Sequence, residues 1–154
     1  MLLDASPSAT GSLTVSSAGV PGTEGRPMDP AMARELERRG GESSGHESRP
    51  VAQGLLLGAD LVLTMEFAQH MRILGSWPWA GVRVLGLRQA ARTIEILDGA
   101  VTSVASVRDL VDAAPRDSMG WDIADPYGQG RRAVRRCALE IDELLESLIR
   151  GLLP

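Results

Sequence analysis

The chain has 154 residues, 44% of them hydrophobic and 23% charged, a net charge of −4 and a single cysteine, Cys137. That is the length of one domain able to bury a core, with the composition of a globular protein. The acidic balance argues against a general nucleic-acid binder, and no apolar run approaches the roughly 20 residues of a membrane span. One cysteine excludes an internal disulfide framework and fits a reducing compartment. The first residues lack the charged and apolar regions of a secretory signal, so a cytoplasmic location is expected.

Residues 1–12 are rich in Ser, Pro, Ala and Gly and read as a flexible tail, with the domain expected over 13–154. Residues 13–17, with Val15 between Thr14 and Ser16, read as a strand ending at Ala18-Gly19. Residues 20–28 carry glycines and prolines and form a loop. Asp29-Pro30 then opens a helix, Asp29 as N-cap and Pro30 in its first turn, which Gly40-Gly41 ends. A polar stretch over 42–50 leads into a short helix over 51–57, stopped by Gly58.

Residues 60–65 are nearly all apolar, the signature of a buried parallel strand. A helix over 66–74, a strand over 82–87 and a helix over 88–97 follow, with a further helix over 101–113. The clearest helix runs over 131–148, with Val134, Ala138, Ile141, Leu144, Leu145 and Leu148 on one face. Its arginines, Arg131, Arg132, Arg135 and Arg136, read as a solvated face rather than a nucleic-acid patch, because acidic residues fill its second half. This alternation implies an α/β fold, a parallel sheet with helices on both faces.

The most suggestive stretch for chemistry is Asp122-Ile123-Ala124-Asp125-Pro126-Tyr127-Gly128, a loop by its Pro and Gly. An aspartate held by Pro126 beside an aromatic fits a proton donor facing a pocket. His46 and His70 lack metal-ligand spacing and suit surface or capping roles. Arg26 suits structural bonds within its loop, and Met65 and Met71 suit the core. Trp77 and Trp79 suggest packing beside a sheet edge or an exposed docking patch.

Four blocks in order resemble the low-molecular-weight protein tyrosine phosphatase family. They are Val15-Ser16-Ser17-Ala18-Gly19, Gly25-Arg26-Pro27-Met28-Asp29-Pro30, Ala59-Asp60-Leu61-Val62-Leu63-Thr64-Met65, and the Asp122–Gly128 loop just quoted. The resemblance implies a flavodoxin-like sheet and hydrolysis of phosphotyrosine proteins or small phosphomonoesters through a cysteinyl-phosphate, without metal or cofactor. It implies Asp125 as general acid, Tyr127 at the cleft mouth against the substrate ring, and Ser17 bonded to the phosphate loop. Gly128, where relatives often have a second aromatic, implies a more open wall.

The departure concerns the start of the fold. The family's first, central strand and its Cys-x5-Arg phosphate loop have no counterpart here: six positions after Cys137 stands Glu143. Cys137 lies within the amphipathic last helix and is expected to be an inert, part-buried thiol, so no nucleophile is assigned. A sheet without its central strand leaves unpaired backbone groups at its middle. Three expectations follow: a phosphatase whose start lies upstream of Met1, a catalytically dead pseudophosphatase or interaction module, or an arsenate reductase relative. The last would need additional redox cysteines, which the chain lacks.

Overall fold

The apolar run that reads as a buried strand forms β3 (Leu61–Thr64), and all four of its residues are buried. The computed structural model describes residues 2–4, 13–99, 107–116 and 119–152. β3 pairs in parallel with β4 (Val84–Gly86), Val62 opposite Val84 and Leu63 opposite Leu85. Side chains alternate across a strand. Leu61, Leu63 and Leu85 therefore face one core, and Val62 and Val84 face a second core on the other side.

The first core is covered by α4 (Leu87–Gly99), α5 (Val107–Ala113) and α6 (Arg131–Leu152), which contribute Ile94, Leu110 and Leu148. The second is covered by α2 (Gln53–Leu57), α3 (Phe67–Ser76) and a 3₁₀ turn (Pro78–Val82), through Leu56, Ile73 and Ala80. Helices on both faces of a sheet are the expected α/β architecture. Trp77 is half-buried against the second core, while Trp79 beside it is 38% exposed. The sequence placed a strand from residue 82. It starts two residues later because Pro78 opens the 3₁₀ turn, which takes Val82. The expected helix over 101–113 is seen from Val107, residues 101–106 lying outside the described ones.

The middle of the sheet holds the main difference from expectation. Strand order is β2-β1-β3-β4, with β1 (Leu2–Asp4) between β2 (Thr14–Ser16) and β3. β1 runs antiparallel to both neighbours, Leu2 opposite Ser16 and Val62, Leu3 opposite Val15 and Leu61. Three residues read as tail thus pair in the sheet. Residues 5–12 lie outside the described ones. The physical reason is the one that made an empty centre costly, since facing backbone donors and acceptors need partners. β2, β3 and β4 all run one way; only the short central segment opposes them.

Local chemistry sets the helix ends. The Asp29 carboxylate accepts from the Ala31 and Met32 N–H groups (2.9 and 3.2 Å), as an N-cap does, with Pro30 opening α1 (Pro30–Glu37). Gly40, at φ 79°, takes the left-handed turn that follows. Gly22 is fixed by space instead. A Cβ there would stand 2.3 Å from the Pro50 Cα, where the 17–26 loop zips against 48–51.

α1 is tied to α6 by charge. Arg39 donates to buried Glu35 (2.5 Å) and, from its Nε, to Asp142 of α6, and Arg38 also reaches Glu35 (2.9 Å). The hydrogen bond from Arg39 is the chief reason the Glu35 carboxyl titrates below its ordinary value of 4.5; burial opposes it, and Arg38 adds to it. A depressed carboxyl stabilises the fold above its unfolded pKa and loses that contribution as pH falls through the folded one. Glu35→Gln should therefore melt below the wild type at pH 7, and the gap should close on acidification below 4.5. Thermal unfolding against pH measures this, and a gap that is the same at all pH values would contradict it.

Candidate active site

In sheets of this kind ligands bind beyond the carboxyl ends of the strands. The Asp125 loop is fastened there. The Ile123 N–H donates to the carbonyl of Met65, the residue after β3 (2.8 Å), and the Ile123 side chain, 2% exposed, enters the first core. The Met65 N–H donates to the Gln69 side chain (3.0 Å), so both backbone groups at the strand end are partnered.

Asp122 adds a second fastening. Its Oδ1 accepts from the Phe67 N–H (2.6 Å), the first amide of α3. The Glu66 side chain before that helix makes no capping bond. A carboxylate distant in sequence thus does what a local N-cap would do and places negative charge at the positive helix end. Sequence reading missed Asp122. The available signal was a helix that begins without its own Ser, Thr, Asp or Asn.

Beyond these anchors the loop turns outward. Asp125 is exposed; its Oδ1 accepts from the Tyr127 N–H (3.0 Å), and its carbonyl accepts from the Gln129 amide (2.6 Å). This Asx turn holds Asp125 and Tyr127 together. Tyr127 is 73% exposed, its ring open to whatever approaches. Ser17, the third expected site residue, lies just beyond β2, where its carbonyl accepts from the Arg49 side chain (3.0 Å). Asp125 and Tyr127 are thus brought together by a direct bond, while Ser17 is held within the 17–26 loop.

A shallow cleft opens at the ends of β3 and β4, lined by Thr64, Met65, Phe67, His70, Trp121 and Asp122 among others. It encloses only about 10 Å³, far below the roughly 300 Å³ at which small-molecule pockets begin. His70 is half-buried there, and burial pushes its imidazole below the ordinary value, favouring the neutral ring. His46 sits in the 42–50 loop, its N–H donating to the Ser43 carbonyl (3.4 Å). Arg26 pairs through its backbone with Ser48. Among the described residues no three His, Cys, Asp or Glu side chains gather as metal ligands would. Among them, too, no helix is long and apolar enough to cross a membrane.

Cys137 lies part-buried on α6 against the first core. Burial pushes its thiol up, and the Glu140 and Asp125 carboxylates push it further. A nucleophilic cysteine needs the opposite surroundings, cations or a helix N-terminus that favour the thiolate. Cys137 should react with iodoacetamide at pH 7 more slowly than free cysteine, because burial and nearby carboxylates raise its thiol. A rate at neutral pH matching or exceeding that of the free amino acid would show an activated thiol.

Residues 4–85, just over half of the chain, match the low molecular weight phosphotyrosine protein phosphatase family. Among solved structures, the chain is similar to the YwlE arginine phosphatase from Geobacillus stearothermophilus, at 22% identity and TM-score 0.62, over 84% of this chain and 68% of that one. It is similar to a low molecular weight protein tyrosine phosphatase from T. tengcongensis, at 22% identity and TM-score 0.58, over 82% and 69%. It is also similar to Vibrio vulnificus Wzb in complex with benzylphosphonate, at 19% identity and TM-score 0.59, over 82% and 68%. At these identities the likeness shows the fold. No curated protein matches the chain.

Proposed function

Because the chain belongs to the low molecular weight phosphotyrosine protein phosphatase family, we propose that its Asp125 loop is the acid–base half of a phosphomonoester hydrolase. The observation that carries this is the anchoring of the loop at the carboxyl end of β3 through Ile123 and Asp122. The family match ends at residue 85, so the role of the loop rests on its motif and on that anchoring.

The chemistry divides into two steps. A thiolate attacks phosphorus, and the P–O bond to the leaving group breaks as protonated Asp125 gives its proton to the departing phenolate oxygen. The Asp125 carboxylate then takes a proton from water as that water attacks the cysteinyl-phosphate, releasing phosphate and thiolate. Tyr127 offers its exposed ring to an aromatic leaving group. The sulfur and the phosphate-holding arginine belong to a Cys-x5-Arg loop that these 154 residues do not supply. The thiol that is present, Cys137, is held in its protonated form. On this reading the chain by itself is an interaction module rather than a hydrolase.

Purified chain should not turn over p-nitrophenyl phosphate. A fusion that places an apolar strand and a Cys-x5-Arg loop ahead of residue 13, where the new strand takes the slot of β1, should do so without added metal. Asp125→Asn in that fusion should slow turnover by about 10²- to 10⁴-fold, the range for loss of a general acid. Turnover by the unmodified chain, or an active fusion indifferent to Asp125→Asn, would refute the assignment.

A further inference from the structure

Four arginines, Arg131, Arg132, Arg135 and Arg136, occupy the first two turns of α6, and all are exposed. Among the described residues none of them forms an ion pair, whereas Arg38, Arg39, Arg88, Arg92 and Arg108 do. Their position works against the helix that carries them. A helix N-terminus bears partial positive charge and favours anions, yet α6 has no acidic residue in its first turn. Arg131 with Arg135, and Arg132 with Arg136, stand one turn apart, so like charges repel along a shared face.

The nearest acidic residues of α6 are engaged elsewhere, Glu140 with Arg88 and Asp142 with Arg39. A chain of net charge −4 thus gathers unpaired positive charge at the place where it costs the helix stability. An anionic partner removes that cost.

The patch also stands beside the candidate site. The Gly130 carbonyl accepts from the Ala133 and Val134 N–H groups (3.1 and 3.2 Å), so α6 begins directly after the Asp125–Gln129 turn. Asp125 is near enough to α6 to raise the Cys137 thiol. Exposed Tyr127 lies ahead of the arginines, and Leu139, 46% exposed, lies one turn beyond Arg135.

We propose that Arg131, Arg132, Arg135 and Arg136 are a docking surface for an acidic peptide segment of a phosphoprotein. The phosphorylated residue lies toward Asp125 and Tyr127, and the flanking carboxylates lie along α6. This extends the function proposed above and rests on it for the direction of the peptide. Guanidinium groups pair with carboxylates through two parallel hydrogen bonds, which suits glutamate- or aspartate-rich chains. The charged stretch spans only about 8 Å of helix. Beyond it along α6 stand Glu143 and Glu146, both exposed. A short peptide fits before those carboxylates; the continuous phosphates of a nucleic acid run into them.

Fluorescence anisotropy tests the surface with four labelled probes. They are a glutamate-rich peptide with a central phosphotyrosine, the same peptide unphosphorylated, a neutral peptide of equal length, and a single-stranded oligodeoxythymidylate. Both acidic peptides should bind the full chain at low salt, more weakly at high salt, and the neutral one should not. The variant carrying Arg131→Gln, Arg132→Gln, Arg135→Gln and Arg136→Gln should bind both acidic peptides at least about tenfold more weakly. Its melting temperature should equal or exceed that of the wild type, because charge repulsion is relieved. The double variants Arg131→Gln/Arg135→Gln and Arg132→Gln/Arg136→Gln should each lose part of the affinity.

Unchanged affinity in all three variants, no binding of either acidic peptide, or tighter binding of the oligonucleotide would overturn the inference. If the two acidic peptides bind equally well through the arginines, the surface stands and the phosphate-directed role of the Asp125 loop fails.

Discussion

Two hydrogen bonds at the carboxyl end of β3 fix most of what is distinctive here. Ile123 closes on the Met65 carbonyl, and Asp122 closes on the first amide of α3. Each satisfies a backbone group that a strand end or helix start leaves open. Buried Ile123 adds an apolar contact with the first core beside the bond it makes. The loop carrying Asp125 is therefore a part of the sheet's end, held there by bonds that need no phosphate loop. The position of Asp125 at the strand ends thus does not depend on a Cys-x5-Arg loop.

The centre of the sheet meets the same demand differently. β2 and β3 run the same way and stand two strand positions apart, so a strand must lie between them. Leu2–Asp4 fills that position for only three residues and in the opposite direction. The two cores do not depend on its length, because β3 and β4 supply the alternating side chains that α2, α3, α4, α5 and α6 cover. Close approach finishes the packing. A Cβ at Gly151 of α6 would stand 2.4 Å from the Ile94 side chain of α4. The result is a scaffold with its Asp125 loop, both faces and last helix in place around a minimal centre.

What the sequence disclosed followed from local physics. Asp29-Pro30 read as a helix start because one carboxylate can reach two amides, and it does. The run through Leu61 and Thr64 read as a buried strand because both its faces are apolar, and the stripe on α6 read as core-facing for the same reason. What it hid was set by contacts across long separations. β1 is too short to show alternation. The Asp122 bond to Phe67 spans 55 positions and the Arg39 bond to Asp142 spans 103, and no periodicity announces either. The three site residues were expected by resemblance; the structure joins Asp125 and Tyr127 by a direct bond, because one turn holds both, and leaves the Ser17 backbone bonded to Arg49.

The Asp125 loop is pinned to the strand end by this chain's own residues. Amide hydrogen exchange reads that directly at Phe67 and Ile123. Both amides should be protected in the wild type. Asp122→Ala should speed exchange at Phe67 and Ile123 while leaving Val62, inside β3, as slow as before. Unprotected exchange at both amides in the wild type, or exchange unchanged by Asp122→Ala, would contradict it.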